Sequence, residues 1–142
     1  MVRDRTVVVK LEELLLKYQN HPKLTDLSSA ISKPQTKVQV KGLAGSALSF
    51  ITASLSQKQS SFHHLLVLNS FEDCQYLAND LENFVPKSRV LLFPSPYKKH
   101  KFIEAFDNNH IQQRSEVLDR LKNALNTPHF VITYPEDRKS VV

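Results

Sequence analysis

Glycine is nearly absent from this sequence, because its 142 residues include only Gly42 and Gly45. Tryptophan is missing, and cysteine occurs once, as Cys74, so the chain cannot form an internal disulfide and fits a reducing compartment. No apolar run approaches the roughly 20 residues of a membrane-spanning helix. The first residues also lack the pattern of a secretory signal peptide. These absences predict a cytoplasmic protein that does not contact a membrane.

Metal-ligand patterns are also missing. The six histidines do not have the spacing of a zinc site, and a single cysteine offers them no partner. We therefore expect no bound metal. Basic residues outnumber acidic ones by 19 to 14, which gives a formal charge of +5. This charge permits contact with nucleic acid or with an acidic protein surface without requiring either.

Short apolar strands alternate with amphipathic helices along most of the chain. Apolar residues at helical spacing predict helices over residues 11–18, 24–31, 48–55, 71–81 and 111–125. Apolar runs predict strands over residues 38–40, 64–69, 90–93 and 130–133, the second of them covered on both faces. The alternation predicts one α/β domain over residues 11–142, with a parallel sheet and helices on both faces, after an unassigned lead of residues 1–10.

Both glycines lie in the segment from Gly42 to Ser49, which resembles a degraded phosphate-binding loop. Against the pattern G-x-x-x-x-G-K-[ST], the segment keeps the first glycine and the final hydroxyl. Ala47 replaces the second glycine, and Leu48 replaces the lysine that would reach the β- and γ-phosphates. The alternative is a strand-to-helix turn that needs glycine only for its dihedral angles. The residues of the vestigial loop are Gly42, Gly45, Ser46 and Ser49.

Nucleotide hydrolysis also needs a strand that ends near an aspartate able to hold Mg²⁺. The predicted strands end in Asn69, Phe93 and Tyr134 instead. Since both the lysine and the aspartate are missing, the sequence predicts no ATPase activity, no catalytic residues and no cofactor for this chain.

Four segments, in order, resemble the N-terminal region of the transcription-repair coupling factors (Mfd), which is itself similar to UvrB. They are Val40 to Ala47, Leu65 to Leu81, Leu92-Phe93-Pro94 with Tyr97, and Ile111-x-x-Arg114-x-x-x-Leu118-x-x-Leu121 followed by Val131-Ile132. UvrB has an intact G-x-T-G-S-G-K-T loop at the first segment, whereas the coupling factors have a degenerate one. The likeness runs from about Leu11 to the C-terminus.

This resemblance implies a P-loop NTPase-like fold similar to the first domain of UvrB, and it leaves open whether the chain holds only the first half of that domain. Members of the family are larger, with an RNA polymerase-binding module and a helicase-type motor downstream. The chain is therefore expected to be an N-terminal fragment, and ATP and Mg²⁺ would belong to that motor. The implied function is a non-catalytic scaffold that helps recruit UvrA to stalled RNA polymerase during DNA repair.

The densest basic cluster supports an alternative function, which is nucleic-acid binding. Lys98, Lys99 and Lys101 lie between Tyr97 and Phe102 on a predicted loop, where they could hold a phosphate backbone and stack a base. A solvated loop without a ligand is the competing interpretation.

Arg114 lies on the apolar side of its predicted helix, between Ile111 and Leu118. A half-buried guanidinium needs a partner for its N–H groups. We therefore expect Arg114 to be structural, bonded to a carboxylate or to carbonyl groups at the end of a strand.

Overall fold

From residue 9 onward the described structure begins with helices, and its first strand begins at residue 64. The computed structural model describes residues 9–95, 97–100, 103–106, 108–124 and 126–135. The chain divides into two compact units, Met1–Gln59 and Ser60–Val142, whereas the sequence analysis treated residues 11–142 as one domain.

The described part of the first unit holds three helices, α1 (Leu11–Gln19), α2 (Pro22–Ile31) and α3 (Ala47–Lys58). All three were predicted from apolar spacing. Proline at the first position of α2 loses no hydrogen bond, because the first N–H groups of a helix have no partner within the helix. The Nδ1 atom of His21 caps the same end by accepting the Lys23 backbone N–H at 3.2 Å.

Helix α3 packs on both α1 and α2. The rings of Tyr18 and Phe50 stack with centroids 4.9 Å apart, which joins α1 to α3. At the far end of α3, the Gln59 side-chain amide donates to the Ser28 carbonyl and the Ser32 hydroxyl, both at 2.8 Å. These bonds join the end of α3 to the last turn of α2.

The strand predicted over residues 38–40 is wrong. Residues 36–44 run without a turn or bend, but no neighbouring strand pairs with them. None of the backbone groups of residues 36–43 forms a hydrogen bond to another described residue. Val38 and Val40 are each 45% exposed. β-Branched residues favour a strand only where a partner strand accepts their backbone bonds and packs on their side chains.

The described part of the second unit holds five strands and two α-helices. The strands are β1 (His64–Val67), β2 (Val90–Leu92), β3 (Tyr97–His100), β4 (Ile103–Phe106) and β5 (Phe130–Thr133). The α-helices are α4 (Phe71–Leu81) and α5 (Asn108–Asn123), and a 3-10 turn at Lys87–Arg89 precedes β2. Strands β3 and β4 form a separate antiparallel hairpin.

Three strands form a parallel sheet in the order β1-β5-β2, with Leu66 and Leu92 both level with Ile132. The crossover from β1 to β2 runs through α4, and the return from β2 to β5 runs through α5. Right-handed crossovers in opposite directions place their helices on opposite faces of the sheet. The prediction of an α/β fold with a parallel sheet is confirmed.

The core of this unit lies between α4 and the central strand. Phe130 and Ile132 of β5 are fully buried, as are Cys74 and Leu81 of α4. The Ser70 hydroxyl starts α4 by accepting the Asp73 backbone N–H at 3.1 Å. This cap sets the rotation at which the apolar stripe of the helix meets the sheet.

Strand β1 differs from its prediction, because only one of its faces is covered. Leu65 is 67% exposed and Val67 is 60% exposed, and the two lie on the same face. Their neighbours on the sheet are Val131 and Thr133, which are half-buried. A continuous apolar run is typical of a strand covered on both faces, so the pattern alone overestimated the burial of this edge strand.

Shortening Leu81 should destabilise the second unit far more than shortening Leu118. Leu81→Ala leaves a cavity at a fully buried site, which costs about 2–5 kcal/mol of unfolding free energy. The side chain of Leu118 is 56% exposed, so Leu118→Ala should change that free energy by less than about 0.5 kcal/mol. Urea unfolding followed by circular dichroism measures both, and equal losses in the two variants would contradict this assignment of the core.

Candidate functional site

The glycine loop before α3 owes its glycines to backbone dihedral angles. Gly42 has φ +81° and Gly45 has φ +54°, in the left-handed region that other residues rarely adopt. A Cβ atom built at either position meets no atom within 4 Å. The constraint is therefore conformational, as expected for a turn that leads into a helix.

The phosphate contacts of a working loop are absent from the residues that follow. Leu48 occupies the lysine position, is half-buried in the first turn of α3 and carries no charge. Ser49 is only 2% exposed, so its hydroxyl does not face solvent at the mouth of the loop. Ser46 occupies the N-cap position, but its side chain forms no capping hydrogen bond. Within residues 42–49 no cationic side chain is available to a phosphate.

A cavity lies beside this loop, entirely within the first unit. It measures about 810 Å³, within the range of small-ligand sites. We call it the helix groove. Its lining residues are Lys17, Tyr18, His21, Lys23, Leu24, Asp26, Leu27, Ala30, residues 38–43, Ala47 and Ile51. Most of this lining is apolar, and six consecutive residues of the unpaired segment form one of its sides.

Positive charge predominates around the helix groove. Lys17, Lys23 and Lys41 line it, while Asp26 is its only acidic residue. None of the three lysines forms an ion pair with a described residue. The groove therefore combines an apolar surface with three available cations, which suits a ligand with both apolar and acidic groups.

In parallel α/β sheets, ligands bind beyond the carboxyl ends of the strands. At this edge of the second unit, the described side chains bond mainly to neighbouring backbone. The Tyr134 hydroxyl accepts the Ser95 backbone N–H at 3.1 Å, and the Thr133 hydroxyl donates to the Phe93 carbonyl at 2.9 Å. The Phe71 ring packs against Tyr134, with ring centroids 5.8 Å apart. These contacts hold the ends of β2 and β5 together.

Arg114 lies at this same edge. Its guanidinium donates to the Pro94 carbonyl at 2.9 Å and lies over the Phe93 ring, 4.0 Å from the centroid. Both contacts are to the segment that follows β2. They anchor α5 to that segment, which is a structural role.

Lys98 and Lys99 of the basic cluster lie in strand β3 of the antiparallel hairpin rather than on the loop that the sequence analysis assigned to them. Tyr97 pairs with Phe106, Lys98 with Ala105 and Lys99 with Glu104. Tyr97 in β3, and Ile103 and Phe106 in β4, are residue types that favour this pairing over an open loop. Lys101 and Phe102 lie outside the described residues.

Histidines gather at the opposite, amino edge of the parallel sheet. His63 Nδ1 accepts the His129 backbone N–H at 3.1 Å, and His64 stacks on Phe130 with centroids 5.1 Å apart. Burial, helped by the nearby Arg89 guanidinium, lowers the pKa of His64. Burial also lowers the pKa of His129. Both rings are therefore held neutral in the folded protein.

Cys74 does not have the environment of a reactive thiol. Its side chain is fully buried, and burial, with a smaller contribution from Asp73, raises its pKa. A nucleophilic cysteine needs the opposite shift and access to solvent. Cys74 therefore acts as a small apolar residue of the core.

Among the described residues, no group of three or more histidine, cysteine, aspartate or glutamate side chains is arranged to hold a metal ion. None of the helices in the described ranges combines the length and the apolar character needed to span a bilayer.

Comparison with known proteins identifies no relative, because no family model, no curated protein and no solved structure matches this chain.

The helix groove was missed by the sequence analysis. Its three lysines are separated along the chain, and only the packing of α1 and α2 brings them beside residues 38–43. A usable signal existed in the alternation of Thr36 to Lys41, where two valines are interleaved with polar residues. That pattern was interpreted as a paired strand rather than as one without a partner.

Lowering the pH should destabilise the second unit through His64 and His129. Their folded-state pKa values lie below the unfolded value, so acidification through pH 6.5 protonates the unfolded chain first. The free energy of unfolding should fall between pH 7.5 and pH 5.5 and stay level above pH 7.5, where both states are neutral. His64→Phe keeps the stacking on Phe130 and should reduce the slope. Urea titrations across this range test it, and an unchanged slope in His64→Phe would count against it.

Proposed function

We propose that this chain is a non-catalytic scaffold segment of a transcription-repair coupling factor and takes part in recruiting UvrA. The observation that carries the proposal is the state of the glycine loop. The turn keeps left-handed glycines before a helix, while Leu48 is half-buried and Ser49 is buried. The loop keeps these glycines and lacks the cation, as the coupling-factor resemblance implies, although no strand leads into it.

The three-stranded parallel sheet supports the same proposal at a coarser level. An α/β fold with parallel strands is the architecture that the resemblance to UvrB implies. The P-loop NTPase-like fold and the UvrB likeness belong to the proposal. No ATP or Mg²⁺ is assigned to this chain, and these would belong to the motor of a full-length protein, which would also contact RNA polymerase.

Exposed apolar surface on the second unit offers a place for a protein partner. Leu65 and Val67 lie side by side on one face of the edge strand β1, with more than half of each exposed. Adjacent exposed apolar residues favour a protein contact over a purely solvated surface. This face is the first that we would test for contact with UvrA.

The chain should bind immobilised UvrA in biolayer interferometry and should not bind ATP in titration calorimetry. Leu65→Lys with Val67→Lys should weaken binding to UvrA by at least about tenfold, because both substitutions place charge in an apolar contact. Tyr76→Lys, at a 65% exposed residue of α4, is the matched control and should bind normally. Micromolar binding of ATP, or no binding to UvrA, would refute the proposal.

A second candidate function is nucleic-acid binding by residues 97–102. The hairpin favours it, since two-stranded antiparallel ribbons can enter a groove of DNA. Lys98 and Lys99 supply charge for the phosphate backbone.

Under this alternative, fluorescence anisotropy should detect binding of duplex or single-stranded DNA that weakens as salt rises, because phosphate contacts release counterions. Lys98→Glu with Lys99→Glu should abolish it. Lys33→Glu with Lys122→Glu makes the same charge change at two exposed lysines elsewhere and should retain most binding. If the two double variants lost affinity equally, the effect would be one of net charge, and the hairpin would not be the site.

A further inference from the structure

We propose that the helix groove binds an acidic peptide segment in extended conformation, which adds as a strand alongside residues 37–41. This inference concerns the first unit alone and does not depend on the function proposed above. Its occupant is a protein segment that alternates apolar and acidic side chains.

The unpaired backbone is the first argument. Residues 36–44 run without a turn or bend, and residues 36–43 make no backbone hydrogen bond to another described residue. Residues 38–43 all line the groove, so a run of N–H and C=O groups borders it. A peptide that adds as a strand satisfies such groups in sequence, which is the source of affinity in strand addition.

The apolar side chains are the second argument. Val38 and Val40 are two residues apart, the repeat of a strand, and both line the groove while remaining 45% exposed. Leu43 is 41% exposed at the end of the same segment. Side chains at this spacing match alternate positions of a paired strand, so an incoming peptide with apolar residues at every second position would cover them.

Charge selects the chemistry of the occupant. The groove is lined by three lysines, Lys17, Lys23 and Lys41, and by one acidic residue, Asp26. None of these lysines has an ion-pair partner among the described residues. Acidic side chains on the peptide would meet these ammonium groups, whereas basic ones would be repelled. The groove therefore favours an acidic strand over a neutral or basic one.

The shape of the lining favours a peptide over a compact small molecule. A small-molecule site usually has a few polar groups that converge on one point. Here the polar groups of residues 38–43 are spread along a length of chain, and the three lysines come from α1, α2 and the unpaired segment itself.

The test uses the whole chain labelled with ¹⁵N and a blocked peptide of sequence Glu-Val-Glu-Val-Glu-Val-Glu. Amide resonances of residues 37–41 should shift and gain protection from hydrogen exchange when the peptide is added. The matched peptide with lysine in place of every glutamate should not bind. Lys17→Glu with Lys23→Glu should weaken binding of the acidic peptide by roughly tenfold, because it reverses two favourable charge contacts.

Proline substitutions supply a control that distinguishes strand pairing from other modes of binding. Successive residues of a strand direct their N–H groups to opposite sides, so residues 38 and 40 form one set and residues 39 and 41 the other. Proline removes the N–H group. One double variant, either Val38→Pro with Val40→Pro or Gln39→Pro with Lys41→Pro, should lose binding, and the other should keep most of it. Because these backbone groups have no partners in the described structure, both variants should stay folded, as their amide spectra will show.

The following results would overturn the proposal. They are no response of residues 37–41 at millimolar peptide, equal binding of the lysine peptide, equal loss in both proline variants, and self-association of the chain that shifts the same amides without peptide. Binding of a small amphiphile such as decanoate in the groove, with no response to the peptide, would also overturn it and would identify a small-molecule site instead.

Discussion

Strand β5 is both the last strand of the described residues and the central strand of the parallel sheet, and the second unit depends on it. Its Phe130 and Ile132 side chains are fully buried, and β1 and β2 touch the sheet only by pairing with it. Until residues 130–133 join the sheet during folding, the two earlier strands have no partner in it. The loop-closure entropy of that late pairing must be paid before the core of α4 can bury its apolar stripe. Formation of the sheet therefore depends on these four residues.

Local sequence patterns were sufficient to predict an element where its backbone groups form hydrogen bonds within that element. A helix bonds within itself, so apolar spacing located all three helices of the first unit and α4 and α5 of the second to within a few residues. Strands depend on partners that lie elsewhere in the sequence. Residues 130–133 pair with two neighbouring strands and match their prediction, whereas residues 38–40 pair with none. The hairpin of β3 and β4 was missed because Pro94 and Pro96 suggested a loop.

The candidate sites also divide into those that residue identity indicates and those that depend on contacts between distant parts of the chain. The sequence could indicate that the glycine loop lacks its lysine, since that is a matter of residue identity at Leu48. It could also indicate that Arg114 needs a partner, although only the fold identifies the Pro94 carbonyl. The helix groove could not be predicted, because its lysines become neighbours only through the packing of α1, α2 and residues 38–43. The two ends of the parallel sheet also differ in their side chains. Polar contacts hold the carboxyl end together, while neutral histidines occupy the amino end.

The unpaired segment also bears on the integrity of the chain. Proteases bind their substrates as extended backbone with free N–H and C=O groups, and most folded proteins must open locally to provide it. Residues 36–43 contain no turn or bend and hold no backbone bonds to the described structure, so their N–H and C=O groups are accessible without such opening. A single nick there would leave α1 and α2 on one fragment and α3 on the other, so that only noncovalent contacts such as the Tyr18–Phe50 stack would still join them. The first unit thus has a shorter expected lifetime in a proteolytic environment than its helix content suggests, unless a partner covers this segment.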